Sequence, residues 1–400
     1  MILVRSLPIF NLEEAVRQIE KVGADPTGIE RMRGKALHFN FKIEGIDPRT
    51  ANLLKQEMLC LGGDMAVDKR ALDCNGPSLD GLLMGTHRQI EKLIVKLEAY
   101  PHLQGLAQTL RETLVNVTKD RFVLRCRKKT FHLGEKTLLM GILNVTPDSF
   151  SDGGLYFDRE KAIAHGLRLV EEGADILDIG GESTRPGSRP LDSDEELRRV
   201  LPVIERLAKE IPVPISIDTY KSEVARRAIE AGAEIINDIS GLSFDPDLAK
   251  VAAKEGIPIV LMHIRGRPET MQKEVHYHSL WSEILRSLRE AIRKAESVGV
   301  DPEQIIVDPG IGFGKNLEHN LLLIQSLPEL RILGKPILLG PSRKSFIGKL
   351  LDAPPDQRLE GTLASIAIGA MKGAHILRAH DVREAKRTLV IVDAIRRATE

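Results

Sequence analysis

The sequence predicts an α/β protein in which a (β/α)8 barrel follows a smaller N-terminal α/β domain, and three observations carry that expectation. Eight short, continuously apolar runs recur from about residue 137 onward, each followed by a stretch of helical periodicity. Continuous runs, unlike alternating ones, suit strands covered on both faces, as in a parallel sheet. Polar residues stand at the end of every run. A doubly wound open sheet, the competing fold, would gather them at a single switch point.

Taken in order, residues 1–125 read as a separate α/β domain. Leu12, Val16 and Ile19 repeat at helical spacing. From His38 to Glu44, polar residues alternate with Phe39, Phe41 and Ile43, as in a half-buried strand. Helical patterns return near 51–61, 87–99 and 103–115. The basic stretch RCRKK (125–129) leads into TFHLGEKTLL, read as a hairpin turning at Gly134 that introduces the barrel, residues 126–400.

The eight runs are LLMGIL (138–143), ILDI (176–179), ISI (215–217), EII (234–236), IPIVLM (257–262), IIV (305–307), PILL (336–339) and HIL (375–377). Between the first two, Ile163, Leu167 and Val170 mark a helix that stops at Gly173. After the second, Ser193 and Glu196 form a capping-box pattern ahead of Leu197, Val200, Leu201 and Ile204. Eight units in about 270 residues match the usual size of such a barrel.

Composition narrows the partners. Lys plus Arg and Asp plus Glu both total 57, so the formal net charge is zero. Nothing in that balance supports a general attraction to nucleic acid or to an anionic membrane, although a local anion site stays open. Cys60, Cys74 and Cys126 match no zinc or redox spacing. The amino-terminal residues lack the regions of a signal peptide, and no apolar run approaches the ~20 residues that span a bilayer. A cytoplasmic protein is the expectation.

In a barrel, chemistry belongs to the carboxyl ends of the strands. Those ends hold Asn144 with the loop VTPDSFSDGG, then Gly180 and Gly181 with ESTRPGS, then Asp218, then Asn237 and Asp238. Next come Met262 and His263, DPGIGFGK from Asp308, GPSRKS, and Arg378 with His380. Read as residues alone, a strand-end aspartate such as Asp218 could equally cap the next helix.

The strings MGILNVTPDSFSDGG, DIGGESTRPGS, IDTYK, INDISG, DPGIGFGK, GPSRKSFIG and RAHDV resemble, in order, the motif set of dihydropteroate synthases, over residues 137 to 385. Residues 1–125 lie outside the resemblance. It implies an enzyme that condenses 6-hydroxymethyl-7,8-dihydropterin diphosphate with p-aminobenzoate by dissociative substitution. It assigns the pterin's edge to Asp218, Asn237 and Asp308, with Lys344 on its carbonyl, Arg378 against the ring and Phe313 as a wall. The diphosphate falls to Asn144, Arg378 and His380, with Mg2+ as cofactor on Asn144. The p-aminobenzoate falls to Thr184, Arg185, Pro186 and Ser345, and Asp152 joins Arg185, Asp218, Lys344 and Arg378 as catalytic residues. It also implies a homodimer through the later barrel helices.

Two readings compete. A methyltetrahydrofolate:corrinoid methyltransferase shares the pterin-gripping residues but has no use for the SRKS and RAH strings. A non-catalytic pterin-binding regulator is the other. Arg267 departs from the small polar residue frequent at its position, and His276-x-His278 offers metal-like spacing without a third ligand.

Overall fold

The structure is a computed structural model that describes residues 2–74, 76–146, 155–184, 187–273 and 275–398, with backbone alone over 155–158. The chain forms two compact units, Met1–Lys119 and Asp120–Glu400.

The first unit contains helices α1 (Leu12–Lys21) and α2 (Pro26–Met32), strand β1 (His38–Ile46), helix α3 (Pro48–Cys60), strands β2 (Asp64–Val67) and β3 (Leu79–Thr86), and helices α4 (His87–Glu98) and α5 (Gln104–Thr118). Its antiparallel sheet runs β1-β3-β2. Leu54 and Met58 of α3, Leu83 of β3, and Ile90, Leu93 and Leu97 of α4 form a fully buried core. Sequence periodicity misses β3 because Gly81 and Gly85 interrupt it. At both, a Cβ would crowd the tip of a methionine side chain, 2.2 Å from Met65 Cε at Gly81 and 2.7 Å from Met58 Cε at Gly85.

The second unit opens with an antiparallel hairpin, β4 (Phe122–Arg125) and β5 (Thr130–Leu133). This corrects two sequence expectations. The hairpin turns through 126–129, closed by Cys126 N–H donating to the Lys129 carbonyl, while Gly134 (φ +102°) lies beyond it in the turn into the barrel. The compact unit therefore begins six residues before the expected boundary, because β4 packs with the barrel. The basic turn also acquires a structural purpose. Lys128 Nζ donates to the carbonyls of Ala208 and Ile211 at 2.7 and 2.9 Å, satisfying a helix C-terminus.

Barrel strands and helices then alternate: β6 (Leu138–Asn144), α6 (Leu155–Glu171), β7 (Ile176–Gly180), α7 (Ser193–Glu210), β8 (Ile215–Asp218), α8 (Ser222–Glu230), β9 (Ile235–Asp238), α9 (Leu248–Glu255), β10 (Ile259–Met262) and α10 (Leu280–Ser297). They continue with β11 (Ile305–Asp308), α11 (Leu317–Gln325), β12 (Leu338–Leu339), α12 (Ser345–Leu351), α13 (Leu359–Met371), β13 (Ile376–Ala379) and α14 (Val382–Arg397). All eight strands are parallel, in the order β11-β10-β9-β8-β7-β6-β13-β12. A single bridge, Val307 to Ile337, closes β11 onto the start of β12. The N-cap of α7 is Asp192, whose side chain accepts from Glu195 N–H, in place of the expected Ser193–Glu196 box. Among the described residues, no helix is long and apolar enough to cross a membrane.

Candidate active site

Side-chain alternation divides the barrel interior into two levels. Leu138 and Met140, Ile176, Ile235, Val260, Ile306, Leu338 and Ile376 cluster with the hairpin's Phe122, Leu124, Phe131 and Leu133. On four of these strands the side chains two residues further along that same face are polar. They are Asp178 after Ile176, Asn237 after Ile235, Asp308 after Ile306 and Arg378 after Ile376, with Ser216 and Asp218 on β8. Polar groups so placed converge on one mouth.

Arg378 is the hub. Its Nε donates to Asp178 Oδ2 at 2.6 Å and its Nη2 to Asp218 Oδ2 at 2.7 Å. Asn237 Nδ2 donates to the same Asp178 oxygen at 3.1 Å. Asp178 Oδ1, Asp218 Oδ1 and Ser216 Oγ are buried without a hydrogen-bond partner among the described residues. Such acceptors are costly to leave unmatched, which makes them fitted to a flat ligand carrying N–H donors.

Asp308 accepts from Gly310 N–H at 2.7 Å, and the glycines that follow are steric necessities. Gly310 has φ +72° and a Cβ there would meet the His263 carbonyl at 2.0 Å. Gly312 has φ +85° and lies against Lys344. The Lys344 ammonium sits 4.0 Å from the centre of the Phe313 ring, a cation–π contact. Lys344 is the N-cap of α12 and Ser345 its first residue.

Electrostatics follow from burial. Burial pushes the Asp218 carboxyl up to about 7, and Asp178 beside it adds to the rise, against the pull of Arg378. Asp308 is raised to about 6 by burial, and Lys344 is lowered to about 8 by burial and the nearby Arg378 charge. His380 is pushed down to about 3 by burial first and by Arg378 next, so it is neutral. Its Nδ1 lies 3.0 Å from Ser342 Oγ. Any contribution it makes to an anion site comes through hydrogen bonding rather than charge.

Asp218, Asn237, Asp308, Phe313, Lys344, Arg378 and His380 are thus brought to one mouth. Asn144 ends β6 and Thr184 is half-buried after β7. Asp152, Arg185 and Pro186 lie outside the described residues.

Sequence reasoning missed Asp178, Lys315 and Lys221. Asp178 hides inside the apolar run ILDI, yet its parity with Ile176 aims it inward. Lys315, the last residue of DPGIGFGK, is buried beneath Phe313. It contacts His263 Nδ1 at 3.0 Å and donates to the Phe313 carbonyl at 2.9 Å, and burial lowers it to about 7. Lys221 of IDTYK pairs with Glu182 and with Glu196, each at 2.6 Å. Its Nζ also reaches the Leu191 carbonyl at 2.5 Å, tying together both ends of the segment after β7. Arg267 stacks over the Phe244 ring at 4.4 Å.

Comparison with known proteins agrees with this geometry. Residues 140–380 match the family described as pterin binding enzyme. The dihydropteroate synthase of Bacillus subtilis is 50% identical over 273 residues, covering 68% of this chain and 93% of that protein. A Halobacterium salinarum protein named as a probable bifunctional folylpolyglutamate synthase/dihydropteroate synthase is 40% identical over 392 residues, 97% of this chain and 46% of its own length. The alignment with that relative therefore reaches into the first unit as well as the barrel. The structure of Xanthomonas albilineans dihydropteroate synthase with 4-aminobenzoic acid superposes with a TM-score of 0.66 at 45% identity, over 70% of this chain and 100% of that one. With the barrel, its polar mouth and these relatives in agreement, the chain belongs to the dihydropteroate synthase family of pterin binding enzymes.

Proposed function

We propose that this chain is a transferase joining 6-hydroxymethyl-7,8-dihydropterin diphosphate to p-aminobenzoate, giving 7,8-dihydropteroate and diphosphate. The observation that carries this reading is the buried mouth in which Arg378 is held between Asp178 and Asp218 while Asp218 Oδ1 is left to accept from a ligand. A pterin offers a 2-amino group and ring N–H donors beside its carbonyl. Asp218, Asn237 and Asp308 match those donors, Lys344 matches the carbonyl, and Phe313 with the Arg378 guanidinium bounds the ring.

In the reaction the bond from the pterin's methylene carbon to the diphosphate oxygen breaks first, and diphosphate leaves with the electron pair. Asp218, with Asp152 by resemblance, stabilises the delocalised pterin cation. The neutral amine of p-aminobenzoate forms the new C–N bond and then loses a proton. Preorganised charge rather than a nucleophilic side chain supplies the acceleration. Arg378 and His380 receive the leaving group. Thr184, Arg185, Pro186 and Ser345 hold p-aminobenzoate, as the resemblance implies.

Magnesium fits as a companion of the diphosphate. Asn144 places an amide at the end of β6, suited to a hard cation that keeps its waters and phosphate oxygens. Among the described residues no group of three His, Cys, Asp or Glu side chains could hold a metal unaided. When bound, the cation would offset the charge of the departing diphosphate.

Two copies pair through the later helices in this reading. Leu321, Leu350, Ile368, Met371 and Ile391 on α11 to α14 are large apolar residues at 40% exposure or more, enough for an interface patch. Light scattering should give twice the chain mass, and a monomer at micromolar concentration would remove this part.

The activity is tested by adding both substrates to the purified chain. Diphosphate should be released only when both are present, with dihydropteroate formed in equal amount. Methyl transfer from methyltetrahydrofolate to a cobalamin, without diphosphate release, would replace this reading with the methyltransferase one.

A further inference from the structure

The turn after β12 contains a residue whose backbone its own side chain disfavours. Arg343 has φ +56°, a left-handed conformation that a residue other than glycine keeps only where its surroundings over-determine it. Three contacts do so. Its N–H donates to Thr362 Oγ1 at 3.0 Å, and its carbonyl accepts from Arg358 Nη1 at 2.9 Å. Its guanidinium forms a two-bond pair with Asp381, with Nε 3.0 Å from Oδ2.

Arg358 and Thr362 stand four residues apart at the start of α13, and Thr362 N–H donates to the Arg358 carbonyl at 2.9 Å. One helical turn therefore grips both backbone polar groups of a single residue. Thr362 is fully buried. Arg358 is itself fixed, donating from Nε to the Ala353 carbonyl at 2.9 Å. Its guanidinium lies so close to α12 that a Cβ on Gly348 would fall 2.2 Å from Nη2. The next residue in the chain is Lys344. Its backbone direction is set by the Arg343 conformation, and its ammonium ends over Phe313.

We infer that Arg358, Thr362 and Asp381 are positioning residues for Lys344: they hold Arg343 left-handed and thereby aim the following side chain into the barrel mouth. The inference rests on the assignment of Lys344 to the pterin site. A relaxation of Arg343 toward the right-handed region would turn the Lys344 peptide away from Asp308 and Asp218, although no positioning residue touches substrate.

The test uses steady-state kinetics of the full chain with both substrates. Thr362→Val keeps the shape and removes the acceptor. It should raise KM for the pterin diphosphate about tenfold or more, as small misplacements do, with the melting temperature little changed, while Thr362→Ser stays near wild type. Arg343→Gly and Arg343→Ala both lose the Asp381 pair, but only glycine accepts φ +56° without strain. Arg343→Gly should therefore be the more active of the two, reversing the usual order. Wild-type KM in Thr362→Val, or Arg343→Ala matching or exceeding Arg343→Gly, overturns the inference. Lys344→Ala, run in parallel, separates the two readings. Near-normal turnover there sinks the pterin-site assignment itself, whereas an inactive Lys344→Ala beside an unaffected Thr362→Val sinks the positioning alone.

Discussion

The lower and upper halves of the barrel are built from the same strands and teach opposite lessons. At the lower end, inward residues are Leu, Ile, Val and Met, and the β4–β5 hairpin plugs the opening with Phe122 and Leu124. Phe122 meets the His375 ring edge-on at 5.0 Å, and His375 Nδ1 accepts from Ile337 N–H at 3.0 Å. At the upper end the strands bring in Asp178, Asp218, Asp308 and Arg378, and the turn after β12 adds Lys344. There, buried carboxyls are pushed up, a lysine is pushed down, and acceptors are left unmatched. The lower half stores stability, and the upper half spends part of it on a prepared charge distribution.

The sharpest way to break this division is to remove an upper charge. Lys344→Ala should lower kcat/KM by about 10²–10³-fold, the range for losing one preorganised electrostatic contact. The melting temperature should change little, because burial already disfavours the charged form of Lys344. Calorimetry beside kinetics checks both halves of that statement. A collapsed fold with unchanged activity per folded molecule would reverse the division.

Removing part of the lower half should do the converse. A chain beginning at Asp120 keeps β4, whereas one beginning at Cys126 loses Phe122 and Leu124 from the plug. Each loss of a large buried side chain costs about 2–5 kcal/mol. The shorter chain should therefore melt many degrees lower, while any folded fraction keeps its substrate KM values. Equal melting temperatures for the two truncations would show that the hairpin carries no weight.

Much of this division was legible in the sequence. Eight apolar runs ending in polar residues located the strands, and the strand-end motifs named Asp218, Asn237, Asp308 and Arg378. What stayed hidden has a physical cause in each case. Asp178 opens the string DIGGESTRPGS but also lies within an apolar run, and its parity with Ile176 aims it inward only once the barrel's inside is known. Lys315 and Lys221 sit in motifs, but burial and pairing with His263, Glu182 and Glu196 are three-dimensional facts. The Gly134 turn was misplaced because a positive-φ glycine marks a tight turn without saying which pair of strands it separates. Strand β3 is hidden because Gly81 and Gly85, packed against the tips of Met65 and Met58, read as loop.

A smaller effect concerns pH. Lys344 titrates near about 8, so its charge is lost as pH rises through that value. The kcat/KM profile should fall on the alkaline side with that midpoint. Lys344→Arg, whose guanidinium stays charged to above about 12, should remove the limb while lowering the plateau. A limb unchanged in Lys344→Arg would assign it to another group.

The finest distinction is a proton count. Asp218 and Asp308 have folded values of about 7 and about 6, above the unfolded range of about 4. Between those limits the folded chain holds more protons than the unfolded one, so this pair's contribution to stability is lost as pH rises through the window. Near pH 6.5 the upper mouth therefore carries bound protons. N–H donors of a bound pterin favour the ionised carboxylates, which lowers both values and expels protons. Calorimetric titration with 6-hydroxymethylpterin, repeated in buffers of different ionisation enthalpy, should show proton release at pH 6–7 that vanishes above about pH 8. Asp218→Asn should reduce the release. Binding without any proton release across this range would mean that the upper carboxyls are already ionised, and the energetic contrast between the two ends of the barrel would lose its electrostatic half.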